Sequence, residues 1–204
     1  MDESNSGLNM KFDIRPLARS ERLAAINLVT RAMRDNPLHI AALGTSIGRR
    51  TRVLHRLFSV LLGDETREVL GAFQGDRLIG VAAHAPAGAC LPSGRQWQRF
   101  VPVALAASWR LPWLLAWLRA WQRADPKIAH SHLGPLAVEP AAQGRGVGTA
   151  LMRRYLDSME AELPSFLETD GVGNAAFYER LGFKTIRRRR VLGVLNWFMI
   201  RTTK

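Results

Sequence analysis

Between Leu133 and Met152 the chain reads as an apolar strand, a turn at Glu139-Pro140, a loop rich in glycine, and a helix beginning near Gly146. A strand feeding a helix through such a loop commits this part of the chain to an α/β arrangement. The first N–H groups of a helix have no internal partners and carry the positive end of its dipole. Gly144, Gly146 and Gly148 leave that backbone unscreened by side chains. The loop therefore suits a phosphate or pyrophosphate.

Three ligand classes use loops of this kind. A P-loop needs Lys-Ser/Thr after its last glycine, and Gly148 is followed by Thr149-Ala150. A dinucleotide fingerprint needs Gly-x-Gly-x-x-Gly, whereas Gly144-Arg145-Gly146-Val147-Gly148-Thr149 alternates its glycines and ends in threonine. The remaining pattern, Gln/Arg-x-x-Gly-x-Gly/Ala, is matched by Gln143–Gly148.

On these residues the chain resembles the GNAT superfamily of acyl-coenzyme A-dependent N-acetyltransferases. Leu167–Phe183 looks like that family's later signature: a strand, an Asn174-x-x-x-Tyr178 helix, then Leu-Gly-Phe. Both motifs stand in the family's order over Leu133–Phe183. Arg15-Pro16, Arg34–Leu38 and His132–Pro135 are similar to its puromycin N-acetyltransferase-like branch. The resemblance implies an α/β (α+β) domain with a mixed, mostly antiparallel sheet of about six or seven strands flanked by helices. The sheet is expected to splay at the strand carrying Gly134-Pro135, where proline removes one ladder donor.

The resemblance also implies site residues. Acetyl-CoA, as co-substrate, would lay its pyrophosphate on Gln143, Gly144, Arg145, Gly146, Val147, Gly148 and Thr149. Its pantetheine arm would pair with Leu136, Ala137 and Val138 in the gap beside Phe166–Thr169. Tyr178 falls where family members place the general acid for the leaving thiolate. Asn174 either caps its helix or touches the coenzyme. An amine acceptor arrives mostly as ammonium, so a proton acceptor is needed. Glu168, on the strand facing the gap, is the first candidate, ahead of His132 and His84. No metal cluster is read.

The wider chain fits one domain over residues 11–204, with residues 1–10 polar and disordered. The lone Cys90 and the absence of a basic-then-apolar leader point to the cytoplasm. The balance of 29 Lys/Arg against 17 Asp/Glu gives +12, enough to attract a polyanionic ligand. Nucleic acid is disfavoured because the aromatic residues gather in one helical insertion, residues 96–123, rather than interleaving with basic residues on strands. In that insertion Trp109, Trp113, Trp117 and Trp121 recur every four residues, and two helices parting near Arg110-Leu111 are expected, packed on the core or lying over the acceptor pocket. Its charge-free runs, 101–109 and 111–118, fall short of a membrane span.

The expected activity is direct transfer of acetyl to a primary amine of a small molecule. The alternatives are a protein or peptide N-acetyltransferase and a non-catalytic acyl-CoA-binding module, against which Tyr178 argues, since binding alone needs no acid. The acceptor's identity and the oligomeric state, a homodimer included, stay open.

Overall fold

Val69-Leu70-Gly71-Ala72-Phe73 is apolar throughout rather than alternating, the pattern of a strand covered on both faces. It forms the middle of β2 (Glu68–Gln74). Val69 and Phe73 enter one core while Leu70 and Ala72 enter another. The same division holds in β3 (Arg77–Ala85), where Val81 and Ala83 face one way and Ile79 and Ala82 the other. The two strands join through the predicted Gly75-Asp76 turn, with Gly75 at φ +59°. In this computed structural model residues 12–87, 94–158 and 163–202 are described. The expectations for residues 1–10, Cys90 and the far end of the 146–162 helix lie outside them.

Seven strands form one sheet in the order β1-β2-β3-β4-β5-β7-β6. They are completed by β1 (Asp13–Pro16), β4 (Ser131–Val138), β5 (Ser165–Thr169), β6 (Lys184–Val191) and β7 (Val194–Arg201). Every neighbouring pair is antiparallel except β4 and β5. The mixed, mostly antiparallel sheet expected from the sequence is thus the sheet observed.

One face carries α1 (Arg22–Met33), α2 (Pro37–Leu43), α3 (Ile47–Leu62), α4 (Val101–Ala107) and α5 (Leu111–Gln122). The other carries α6 (Val147–Ser158) and α7 (Val172–Arg180). Three readings of the sequence change here: Ser20 as a cap of the first helix, Asn36-Pro37 as a helix stop only, and Arg187–Arg190 alternating across their strand. Ser20 lies in a short 3-10 turn, and Glu21, not Ser20, is the N-cap of α1. The Glu21 carboxylate also accepts from the Ala18 N–H at 2.8 Å. Asn36-Pro37 does end α1, but Pro37 then opens α2, because proline suits a first helical turn. Arg187–Arg190, on the sheet's outer strand β6, are all exposed rather than two outward and two inward.

The insertion divides as expected. Ser108, at φ 51° and ψ −130°, ends α4, and Pro112 stands in the first turn of α5. By length and composition Trp97–Gln122 is apolar enough to cross a membrane once two charges are tolerated. The turn at Ser108 nevertheless splits it, and α5 sets Leu114 and Trp117 into the core. A backbone at this φ and ψ costs a non-glycine residue about 1 kcal/mol or more. Ser108→Gly is expected to raise the melting temperature by roughly 2–4 °C, read by calorimetry. An unchanged or lower value would show that the serine relieves the turn in some other way.

Candidate active site

The two central strands part soon after they meet. β4 and β5 pair only at Ser131↔Ser165 and His132↔Phe166. Beyond His132, β4 keeps its ladder to β3 on the other side, with a register shift that sets Gly134 and Pro135 opposite the single Ala83. The expected splay at Gly134-Pro135 is therefore present. One edge of Leu133–Val138 faces a gap in place of a strand.

A cavity of about 910 Å³ occupies that gap and continues between the helices. Its first end is walled by Leu136, Ala137 and Val138, then by Gln143, Gly144, Gly146, Val147, Gly148 and Thr149. Asn174, Phe177 and Tyr178 reach it from α7. Of the residues expected to hold the coenzyme, Arg145 alone is off the wall, and it is exposed.

The glycines have separable purposes. Gly144 and Gly146 lie at φ +75° and +83°, with open space where a Cβ would be, so backbone conformation demands them. At Gly148 an added Cβ would sit in ordinary contact with Phe177 and Val138, 3.7 Å from each. The left-handed backbone alone accounts for Gly144 and Gly146, and Gly148 carries no such demand. The Gln143 side chain donates to the Val138 carbonyl at 3.1 Å and closes the loop's base, while Arg31 and Glu139 pair at 2.9 Å to tie it to α1.

Asn174 is no cap: Gly171 holds that position, without a side-chain cap bond. The Asn174 amide instead leans over Gly171, where an added Cβ would meet Nδ2 at 3.0 Å. Tyr178 is buried, its ring edge-on to Phe177 and Phe183 at 5.1 and 5.8 Å. Burial pushes its hydroxyl well above the usual tyrosine value, so it stays protonated at neutral pH.

At the other end the wall is aromatic and aliphatic: Leu57 and Phe58 of α3, then Trp117, Leu118 and Trp121 of α5. The insertion thus serves as core and as wall together. Trp121 Nε1 donates to Asn196 at 3.0 Å, which fixes that ring. Polar groups converge where this lobe meets the strand gap. Glu168, whose side chain is 3% exposed, lies 2.8 Å from His132 Nε2, and both line the cavity. Asp170 accepts from the Leu38 N–H at 2.7 Å, anchoring the start of α2 to the end of β5. His84 does not reach the cavity wall. It stacks beside Tyr155 at 4.8 Å and pairs with Glu68 at 3.3 Å, and burial lowers its pKa against the pull of that carboxylate.

Sequence reasoning missed His39 and Asp125. His39 of α2 lines the cavity, its Nδ1 2.6 Å from the Met33 carbonyl, and burial keeps the ring neutral. Asp125, also on the wall, sits within 3.5 Å of His132 and 3.2 Å of His130. Burial works to raise its carboxyl, and the two histidines outweigh that, holding it below the usual range.

Residues 114–185, which span α5 to β6 and hold nearly the whole strand gap, match the acetyltransferase (GNAT) domain family. The fold is similar to that of histone acetyltransferase HPA2 and related acetyltransferase from Corynebacterium glutamicum, with TM-score 0.73 and 17% identity, over 96% of this chain and 98% of that one. It is also similar to the PaiA N-acetyltransferase of Thermoplasma acidophilum in complex with coenzyme A, at TM-score 0.57 and 15% identity, over 95% and 99% of the two chains. The ribosomal-protein-S18-alanine N-acetyltransferase of Escherichia coli aligns at TM-score 0.55 and 18% identity, over 94% and 93%. Residues 114–185, on the parted strands, thus match the acetyltransferase (GNAT) domain family, and the chain as a whole shares its fold with these acetyltransferases.

Proposed function

We propose that the protein transfers the acetyl group of acetyl-CoA directly to the primary amine of a small molecule with an apolar body. The observation that carries this reading is one cavity joining the glycine loop, the strand gap and an aromatic lobe. In this reading the free amides opening α6 hold the pyrophosphate, and the pantetheine arm pairs with the free edge of Leu136–Val138. The thioester then lies near the point where β4 and β5 separate, between Glu168 and Tyr178.

The amine lone pair attacks the thioester carbonyl, and the tetrahedral intermediate collapses by breaking the C–S bond. Glu168 takes the proton the amine gives up, with His132 Nε2–H donating to one of its oxygens and leaving the other for the substrate. Tyr178 donates a hydrogen bond to the departing sulfur. Trp117, Trp121, Leu57 and Phe58 enclose the acceptor's apolar part. That walled lobe favours a compact amine over an extended polypeptide.

Free-thiol release from acetyl-CoA, measured against alkyl- and arylalkylamines, amino acids and peptides with free N-termini, tests the reading. Turnover is expected with the apolar amines. Turnover confined to peptides would replace the acceptor class. Glu168→Gln is expected to lower kcat roughly 30-fold, with acetyl-CoA affinity unchanged, since general-base catalysis contributes about a hundredfold where it operates alone and His132 stays in place. Unaltered turnover would move the base elsewhere, with His39 next in line.

A further inference from the structure

Where α5 hands over to β4, two imidazoles and a carboxylate aim at one point. Asp125 Oδ1 lies 3.2 Å from His130 Nε2 and 3.5 Å from His132 Nδ1. The three ligand atoms all fall within 4.8 Å of one another. The far nitrogen of each ring is engaged as well: His130 Nδ1 is 2.8 Å from the Ile128 carbonyl, and His132 Nε2 is 2.8 Å from Glu168 Oε2. A carbonyl and a carboxylate only accept, so each far nitrogen carries the N–H and donates it.

A neutral imidazole has one N–H. A ring that stays neutral therefore presents a lone pair to Asp125 Oδ1, which is an acceptor too, and only a ring with a second proton can donate there. Two arrangements relieve that conflict. Either one or both rings take a second proton, beside a His130 side chain only 5% exposed and with ring centroids 6.1 Å apart, or a cation takes the place of those protons.

The spacing favours the second. Bonds of 2.0–2.1 Å in a tetrahedral site set neighbouring ligand atoms about 3.3 Å apart, and the two observed separations bracket that value. A carboxylate and a backbone carbonyl behind ligating histidines is also the usual outer arrangement, fixing tautomer and ring orientation. Two imidazoles with one carboxylate suit zinc and its neighbours better than magnesium or calcium, which take oxygen ligands.

We propose that Asp125, His130 and His132 form a binding site for a zinc-class divalent cation. Three protein ligands leave a fourth position for water or a substrate atom, beside the cavity that Asp125 and His132 line. Such an ion would pin the end of α5, with Trp117 and Trp121, to β4 and, through Glu168, to β5. It would hold the acceptor lobe in register with the strand gap. The site shares His132 and Glu168 with the acetyl-transfer reading but does not rest on it: its ligands are side chains of residues 125–132, outside the glycine loop.

The test uses the full chain, stripped with a chelator and titrated with cobalt(II), whose visible absorption reports tetrahedral coordination. Bound zinc is counted separately by elemental mass spectrometry. The expected result is one equivalent of cobalt with a tetrahedral spectrum, displaced by one equivalent of zinc, and a melting temperature that rises with either metal. Asp125→Asn and His132→Gln are expected to abolish uptake, and Glu168→Gln to weaken it about 10–100-fold while keeping the spectrum. Acetyl-CoA calorimetry on each variant checks that it has folded. Wild-type protein that takes up neither metal at micromolar concentration overturns the proposal, and so does uptake that persists in folded Asp125→Asn or His132→Gln. None of these readouts depends on turnover, so an inactive protein with a filled site would separate this proposal from the enzymatic one.

Discussion

Gly146→Asp is expected to abolish measurable acetyl-CoA binding, a loss of at least about a thousandfold in affinity. Two effects combine. Gly146 sits at φ +83°, where an L-residue costs roughly 1–2 kcal/mol. No atom stands within 4 Å of the new Cβ, so the cost is conformational and not steric. The carboxylate then occupies the mouth of α6, where a diphosphate would lie. Two like charges near 4 Å at an effective dielectric of 20 repel by about 4 kcal/mol, which is close to a thousandfold. Gly146→Ala separates the two contributions, since it carries the backbone cost without the charge. About tenfold weaker binding is expected for it by isothermal titration, with thermal unfolding showing that both variants are folded. If aspartate and alanine weaken binding equally, the ligand's negative charge does not sit at this helix start.

The loop was readable from the sequence because its physics is local. Glycines at φ > 0, the Glu139-Pro140 turn and the free amides of α6 involve residues close together in the chain. The Gly134-Pro135 interruption likewise announced the splay, since a residue without an N–H cannot complete a ladder. The Asn174-x-x-x-Tyr178 helix is likewise local, and it ends before Gly182 at φ +87°.

The acceptor lobe was not readable in this way. α2 went unforeseen because Pro37 was taken as a stop and not also as a start. Its place over the cavity is set by a bond between the Asp170 carboxylate and the Leu38 N–H, a pairing 132 residues apart with no local signature. His39 therefore enters the wall unannounced. The tryptophan period located a helix but could not say which rings would meet β7, as Trp121 does through Asn196. One signal was present and passed over. His130 and His132, two apart at a strand's start, are preceded by Asp125 in the same short segment. Weighing His132 singly as a proton acceptor left that set unassembled.

Tyr178→Phe is expected to lower kcat by about 10²–10³-fold while leaving the dissociation constant of acetyl-CoA within about twofold, the range for losing one donor aimed at developing charge. The hydroxyl lies in a buried position that drives its pKa up, so it is a weaker acid than the thiol it would serve. Full proton delivery to sulfur is then uphill. In the proposed role, what Tyr178 offers is a hydrogen bond that strengthens as the C–S bond breaks and negative charge gathers on sulfur. Such a contact is worth more in the transition state than in the ground state, which separates its effect on kcat from its effect on binding. The sign of the pH dependence follows from the same burial. A raised phenol value keeps the donor protonated from neutral pH to beyond the usual tyrosine range, so Tyr178 contributes no alkaline limb below about pH 10. The ratio of wild-type to Tyr178→Phe turnover should stay flat from about pH 7 to pH 10. A thioester with a more acidic leaving thiol needs less help at sulfur, and with it the deficit of the phenylalanine variant should shrink. A deficit unchanged between the two thioesters would mean that the ring packs against Phe177 and Phe183 and takes no part at the sulfur.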